Sequence, residues 1–233
     1  MTKPGNIILF PCPITEGKTE SLSLEAIRHL HATQSFVVER AKTARHFIKS
    51  TNHPIPIQEM DILEITDSKS ETEAFLQRIF NGINIGVISE AGCPGVADPG
   101  SEIVSWAHQN DIKVVPLVGP SSILLALMAS GCNGQNFTFN GYLSNKMPEL
   151  MQQLKSLEAK AQKTKQTQIF METPYRNSFM IESCMQALMP STRLCIACDI
   201  NAPTEDIRQM SIKNWQSAKR DMYHKRPCIY IIG

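Results

Sequence analysis

Through its first half the chain alternates short apolar runs with stretches whose apolar residues recur at helical spacing. That alternation limits the possible folds more than any other feature. Residues 7–10 and 36–38 read as strands, as does 83–88, a mostly apolar run broken only by Asn84 and Gly86. Helical patterns fall at 22–30 (Leu22, Ala26, Ile27 and Leu30 on one face, Ser21 available as a cap), at 43–49 and at 71–80. A helix over 101–109 and a strand over 113–117 complete the series. Strands separated by helices in this way predict a largely parallel sheet covered on both faces.

Gly119-Pro120 then punctuates the chain, and the pattern changes. A small-residue helix over 121–130 is followed by strand candidates at 137–142, 167–171, 193–199, 207–212 and 227–232, with two long helices, 148–162 and 177–188, between them. That spacing suits a mixed sheet. The expected fold is therefore α/β and two-lobed, with a parallel-sheet lobe over 1–118 and a mixed-sheet lobe over 119–233.

A net charge of +1 does not announce a surface built for binding nucleic acid through its backbone. No apolar run approaches the roughly 20 residues needed to cross a bilayer, and 7–10 is too short for a signal-peptide core. A cytoplasmic protein with reduced thiols is the expectation, since the seven cysteines are odd in number and scattered. Only Cys195 and Cys198 have metal-like spacing, but on a strand an offset of three puts the sulfurs on opposite faces. No metal site is expected.

In open α/β sheets ligands sit beyond the carboxyl ends of the strands. After Ile88 comes Ser89-Glu90-Ala91-Gly92-Cys93-Pro94-Gly95-Val96-Ala97-Asp98-Pro99-Gly100, whose glycines and prolines fix a tight path open to a ligand. It reads equally as an ordinary strand-to-helix turn, with Asp98 or Ser101 capping the next helix. Gly119-Pro120-Ser121-Ser122 opens a helix and offers free N–H groups and hydroxyls, or plain capping. Glu172-Thr173-Pro174-Tyr175-Arg176 pairs a carboxylate with a guanidinium, or forms a surface ion pair of little weight. Glu39-Arg40-Ala41-Lys42-Thr43-Ala44-Arg45 clusters charge after a strand, as a solvated first helical turn also would. No Gly-x-Gly-x-x-Gly follows the first strand. Gly17-Lys18-Thr19 ends like a phosphate loop, but Pro11 and Pro13 stiffen its approach.

Taken in order, these four loops resemble the tetrapyrrole (corrin/porphyrin) methylase superfamily, in particular the branch that methylates a cytidine ribose in small-subunit ribosomal RNA. That branch carries Ser-Asp-Ala-Gly-Thr-Pro-x-x-Ser-Asp-Pro-Gly, similar to 89–100 here. Its Pro-Gly-Pro-Ser-Ala resembles 118–122, its Glu-Ser-Pro-His-Arg resembles 172–176, and its Glu-Asp-Thr-Arg-x-Thr-Arg resembles 39–45. The resemblance implies a homodimer with S-adenosylmethionine held between the lobes. It also implies cofactor contacts from Pro13, Ser89, Ala91, Gly92, Val96, Ser121, Ser122, Met171, Glu172 and the stretch from Ala197. The chain departs from that pattern at 15–21, at Arg40 and Ala41, and at 197–202, where the family's basic residues are absent.

A ribose hydroxyl is a poor nucleophile, so methyl transfer to it calls for a base or a cation nearby. Glu39 is the candidate base, Lys42 and Arg45 the candidates for steering phosphate or steadying an oxyanion, and Arg176 a further electrostatic candidate. The acceptor expected is ribosomal RNA or the small ribosomal subunit. A tetrapyrrole-like or other acidic small molecule is the second reading, and a non-catalytic S-adenosylmethionine-binding or RNA-binding module the third. The helix at 148–162, apolar at Leu150, Leu154, Leu157 and Ala161 and basic at its end (Lys155, Lys160, Lys163, Lys165), is either a solvated amphipathic helix or a guide for RNA.

Overall fold

The computed structural model describes residues 3–66, 68–219 and 221–233. The chain forms two compact units, Met1–Ser121 and Ser122–Gly233. Among the described residues no helix is long and apolar enough to cross a membrane.

The first unit runs β1 (Ile7–Phe10), α1 (Leu24–His31), β2 (Ser35–Val38), α2 (Ala41–Ser50), β3 (Asp61–Glu64), α3 (Lys69–Leu76), β4 (Ile85–Ile88), α4 (Ser101–Gln109) and β5 (Val114–Pro116). Its sheet is wholly parallel, in the order β3-β2-β4-β1-β5. Alternation along the central strands builds two cores. Ile8, Phe10, Phe36 and Val38 pack with Leu30 of α1 and Ala44 and Ile48 of α2. Ile7, Val37, Ile85 and Val87 pack with Leu76 of α3 and Ile103 and Ala107 of α4 on the other face. This is why the strands read as continuous apolar runs.

Gly86 interrupts one of those runs for a steric reason. A Cβ there would lie 2.5 Å from the Phe36 ring and 2.8 Å from that of Phe10. The two rings tilt against each other across the position at 6.0 Å. Gly86→Val should therefore overpack the α1/α2 side and cost about 1–3 kcal/mol. Urea unfolding should show the midpoint fall with an unchanged slope; an unaltered midpoint would mean that the rings part freely.

Three local expectations need correction. The first helix begins at Leu24, not Leu22, because Ser23 rather than Ser21 caps it, its hydroxyl accepting from the Ala26 N–H at 3.1 Å. Ser21 instead donates to the Lys18 carbonyl in a 3-10 turn, Thr19–Ser21. The helix expected over 71–80 starts at Lys69 and tightens into a 3-10 turn, Gln77–Asn81, which left-handed Gly82 ends. The edge strand β3 was not expected: its two apolar residues are bracketed by exposed Asp61 and Glu64.

The second unit runs α5 (Ser122–Ser130), β6 (Phe137–Tyr142), α6 (Met147–Thr164), β7 (Thr167–Glu172), α7 (Asn177–Ala187), β8 (Arg193–Cys198), β9 (Asp206–Ser211), α8 (Ile212–Ser217) and β10 (Cys228–Ile232). The order is β6-β7-β10-β8-β9, parallel between β6 and β7 and antiparallel elsewhere, so the sheet is mixed as expected. Ile169, Cys195, Ala197, Ile229 and Ile231 face α5. Phe170, Leu194, Ile196, Cys198, Tyr230 and Ile232 face α6 and α7. Cys195 and Cys198 thus lie on opposite faces of β8. On α6 the buried stripe is the expected Leu150, Leu154, Leu157 and Ala161, joined by Glu158, whose carboxylate accepts from the Met189 N–H at 2.8 Å and from the Thr192 hydroxyl. The strand expected over 207–212 ends at Ser211, and Ile212 instead opens the short α8, for which the sequence offered no reading; Ser211 caps it, and Trp215 is sequestered with its indole N–H on the Leu194 carbonyl at 2.8 Å.

Candidate functional site

The order of the parallel sheet itself marks a place for a ligand. β1 leads into α1 on one face and β4 leads into α4 on the other, yet β1 and β4 are neighbours, Phe10 opposite Ile88. Chains leaving adjacent strands in opposite directions open a crevice at their carboxyl ends. The segments that leave there are 11–14 and 89–100.

These segments are fastened to each other. The Cys12 N–H donates to the Gly92 carbonyl at 2.7 Å and the Gly92 N–H returns to the Cys12 carbonyl at 3.1 Å. The Cys12 thiol donates to the Ser89 carbonyl at 3.3 Å. Burial, with Asp98 adding to it, pushes that thiol up to about 12, so it stays protonated. The rest of the loop turns through positive φ at Gly92 (+70°), Gly95 (+79°), Ala97 (+64°) and Gly100 (+133°). Neither Asp98 nor Ser101 caps α4; Gly100 occupies the cap position with no side-chain bond. Gly119 presses on the exit of β1, where a Cβ would fall 2.1 Å from that of Pro11, and the Cys93 thiol donates to the Pro120 carbonyl at 3.4 Å.

The charged segment 39–45 joins the same place. The Glu39 N–H donates to the Ile88 carbonyl at 3.0 Å, and its carboxylate accepts from the Glu90 N–H at 3.0 Å. Glu90 accepts from the Thr43 hydroxyl at 2.5 Å and lies 3.6 Å from the Arg40 guanidinium. A cavity of about 620 Å³ lies elsewhere, between α3 and α4, but one of about 610 Å³ opens in this crevice, lined by Pro13, Lys42, His46, Phe47, Glu90 and Ala91 among others. Arg45 is exposed and lies outside that lining.

Of the residues singled out on the long loop, Ala91 and Val96 are exposed while Gly92 is buried. Ser89 is buried, its hydroxyl within 3.4 Å of the Ala91 carbonyl and bonded to Asp98, so it shapes the loop from inside. Pro13, Ser121 and Ser122 are half-buried. Asp98 is raised from its ordinary 3.8 to about 6, first by desolvation and then by the Glu39 charge, against the Ser89 hydrogen bond. A carboxyl raised on folding favours the fold when protonated, so its contribution is complete below about pH 4 and lost as pH rises through about 6. Asp98→Asn should therefore raise the melting temperature above pH 6 and leave it unchanged near pH 4. Thermal melts from pH 4 to 8 check this, and parallel curves for the two proteins would refute it.

In the second unit, Met171 and Glu172 are consecutive on β7 and project to opposite faces, Met171 packing on the α5 side. Glu172 accepts from the Thr173 N–H at 2.7 Å and lies 3.3 Å from the Arg176 Nε. It is not the surface pair the spacing allowed, since the Glu172 side chain is only 4% exposed. Its Oε2 and the Arg176 Nη2 are buried without a hydrogen-bond partner. Ala197 is buried under α5. Beyond β8, Asp199 receives Arg226 at 2.8 Å and the Thr204 hydroxyl at 2.6 Å. Arg226 carried no local signal in the sequence. Nor did His46, whose Nε2 lies 3.5 Å from Glu16.

Residues 15–214 match the family model described as Tetrapyrrole (Corrin/Porphyrin) Methylases. The chain is 26% identical over 208 residues to the ribosomal RNA small subunit methyltransferase I of Vibrio cholerae, covering 89% of this chain and 70% of that protein. It is 26% identical over 232 residues to the protein of the same name from Bacillus subtilis, covering 98% and 75%. Among solved structures, that of the methyltransferase CobJ matches with a TM-score of 0.63 at 17% identity, covering 98% of this chain and 94% of that one.

Proposed function

The chain belongs to the Tetrapyrrole (Corrin/Porphyrin) Methylases, and from that premise we propose that it transfers the methyl group of S-adenosylmethionine to a ribose hydroxyl of small-subunit ribosomal RNA. The observation that carries this reading is the loop 89–100, whose positive-φ turns are clamped to Cys12 where β1 and β4 part. Such a loop suits a ligand that presents amide-like edges and apolar surface at once. Backbone groups approach it where no side chain intervenes, and the exposed Ala91 and Val96 offer apolar contact.

In this proposal Ala91, Gly92 and Val96 touch the donor, Ser89 fixes their path, and Pro13, Ser121, Ser122, Met171 and Glu172 complete the contacts, while Ala197, fully buried under α5, has a supporting role only. When bound, the donor supplies the methyl carbon and a neutral thioether as leaving group. Glu39 holds the loop through the Glu90 N–H, and Lys42 steadies negative charge developing on the acceptor oxygen. Arg45 steers RNA phosphate from the exposed side of α2, and Arg176 acts through its pair with Glu172. The proposal includes a cytoplasmic homodimer. Leu124 and Met128, exposed on α5, offer an apolar face to a second copy, and light scattering should give twice the mass of one chain.

The relatives named as ribosomal RNA small subunit methyltransferases support the acceptor. Purified protein with tritiated S-adenosylmethionine should label small ribosomal subunits from cells lacking the chain, and leave those from wild-type cells unlabelled. The second reading, a tetrapyrrole-like or other acidic small molecule, draws on the net charge of only +1. Label that enters such a compound and not the immature subunit would replace the first reading by the second.

A further inference from the structure

The crevice cavity holds a pair of side chains that the donor site does not use. His46 faces it from α2, one turn beyond Lys42, and Glu16 faces it from the loop after β1. The His46 Nε2 lies 3.5 Å from the Glu16 carboxylate, and both side chains are largely exposed, at 70% and 85%. An ion pair this open adds little to stability, so holding the fold together does not account for it.

The other ionisable groups lining the cavity, among the described residues, are already committed or unsuited to accept a proton. Glu90 is bound by the Thr43 hydroxyl and faces Arg40. The Cys12 thiol is buried and protonated. A lysine ammonium such as that of Lys42 has only donors and no acceptor to offer. Glu39, the base that sequence suggests, is absent from the lining, and one of its oxygens is engaged by the Glu90 N–H. Imidazole is the side chain whose proton affinity suits general-base work near neutrality. A carboxylate on one ring nitrogen fixes the tautomer and leaves the other nitrogen's lone pair free.

We propose that this cavity receives the acceptor ribose and that His46 takes the proton of its hydroxyl, with Glu16 as a positioning residue for the ring. The inference rests on the ribose-methylation reading above. The hydroxyl proton passes to Nδ1 while Nε2–H remains on Glu16. The oxygen's electron pair forms the bond to the methyl carbon, and the electron pair of the carbon–sulfur bond leaves with the sulfur. The imidazolium then returns its proton to water. Lys42, one helical turn away, steadies the oxygen as the proton departs. At about 610 Å³ the cavity falls within the size range of small-ligand sites and leaves room for a nucleoside.

The test has two arms. In the first, methyl transfer to immature small subunits is measured against pH for the wild type, His46→Gln and Glu16→Gln. Wild-type kcat should rise as the imidazole loses its proton and then level off. His46→Gln should lower kcat about 100-fold or more and abolish that acid limb, with KM changed less than about threefold. Glu16→Gln should lower kcat less than His46→Gln does and leave KM little changed, as expected of a residue that only orients the ring. In the second arm, the His46 ring resonances are followed by NMR with S-adenosylhomocysteine present, as a short cytidine-containing oligoribonucleotide is added. They should shift on saturation.

His46→Gln that keeps its rate and pH limb, or ring resonances that the oligoribonucleotide leaves unmoved, would overturn the assignment. Calorimetry with the donor separates the two levels. Donor binding with an unresponsive His46 removes only this inference, whereas no donor binding removes the methyl-transfer reading itself.

Discussion

Replacing Asn177 by leucine is expected to destabilise the second unit by about 3–5 kcal/mol, more than any substitution of an exposed residue. Asn177 is sequestered at the start of α7 with its amide fully employed. Its Nδ2 donates to the carbonyls of Tyr223 at 2.8 Å and Arg226 at 2.5 Å and approaches the Cys228 sulfur at 3.3 Å. Its Oδ1 accepts from the Tyr230 hydroxyl at 2.9 Å. Leucine would match the volume but remove all three bonds, leaving the Tyr223 carbonyl only the Arg226 N–H at 3.4 Å and the Arg226 carbonyl and Tyr230 phenol without the amide, at about 1–3 kcal/mol for each buried group left unpaired. Tyr230→Phe is the control, since it removes one hydroxyl and leaves the two carbonyls bonded, at about 1 kcal/mol. Calorimetric melting should show the unit lose more than about 10 °C for Asn177→Leu and a few degrees for Tyr230→Phe. Equal shifts for the two variants would mean that the carbonyl bonds contribute nothing.

Gly119→Val should weaken donor binding by about 10-fold or more with a smaller effect on stability. A Cβ at 119 would meet Pro11 at 2.1 and 2.3 Å, closer than two carbons can approach. Pro11 precedes Cys12, and Cys12 carries the paired backbone bonds to Gly92. The clash would therefore be relieved by moving the strut that fixes the loop, while the β1 pairing to β4 and β5 begins four residues earlier, at Ile7. Calorimetry with S-adenosylmethionine on the wild type and the variant measures the effect, with circular dichroism to confirm that both are folded. A folded variant with unchanged affinity would uncouple residue 119 from the loop.

The fold was legible where the physics is local. Strands buried on both faces, such as 36–38, leave apolar runs, and α6 leaves a stripe at helical spacing. Where partners decide, legibility fails. β3 is an edge strand with two apolar residues, and α8 exists because Trp215 has a pocket and a carbonyl to reach for. Ser21 and Ser23 are equally good caps in composition, and only the packing of Leu22 and Ala26 selects between them. The candidate site divides in the same way. Glycines in 89–100 announce a constrained loop, because left-handed backbone demands them. The bond from Glu39 to Glu90 spans 51 positions, and that from Arg226 to Asp199 spans 27. No spacing rule reaches so far, which is why neither contact registered in the sequence.

Isothermal titration of the purified chain with S-adenosylmethionine tests the centre of the proposal, a methyl donor held by the loop between Ser89 and Gly100. One saturable site per chain is expected, with a dissociation constant on the order of 10 µM and similar or tighter binding of the demethylated product. Absence of saturable heat with the donor at about 1 mM would contradict it.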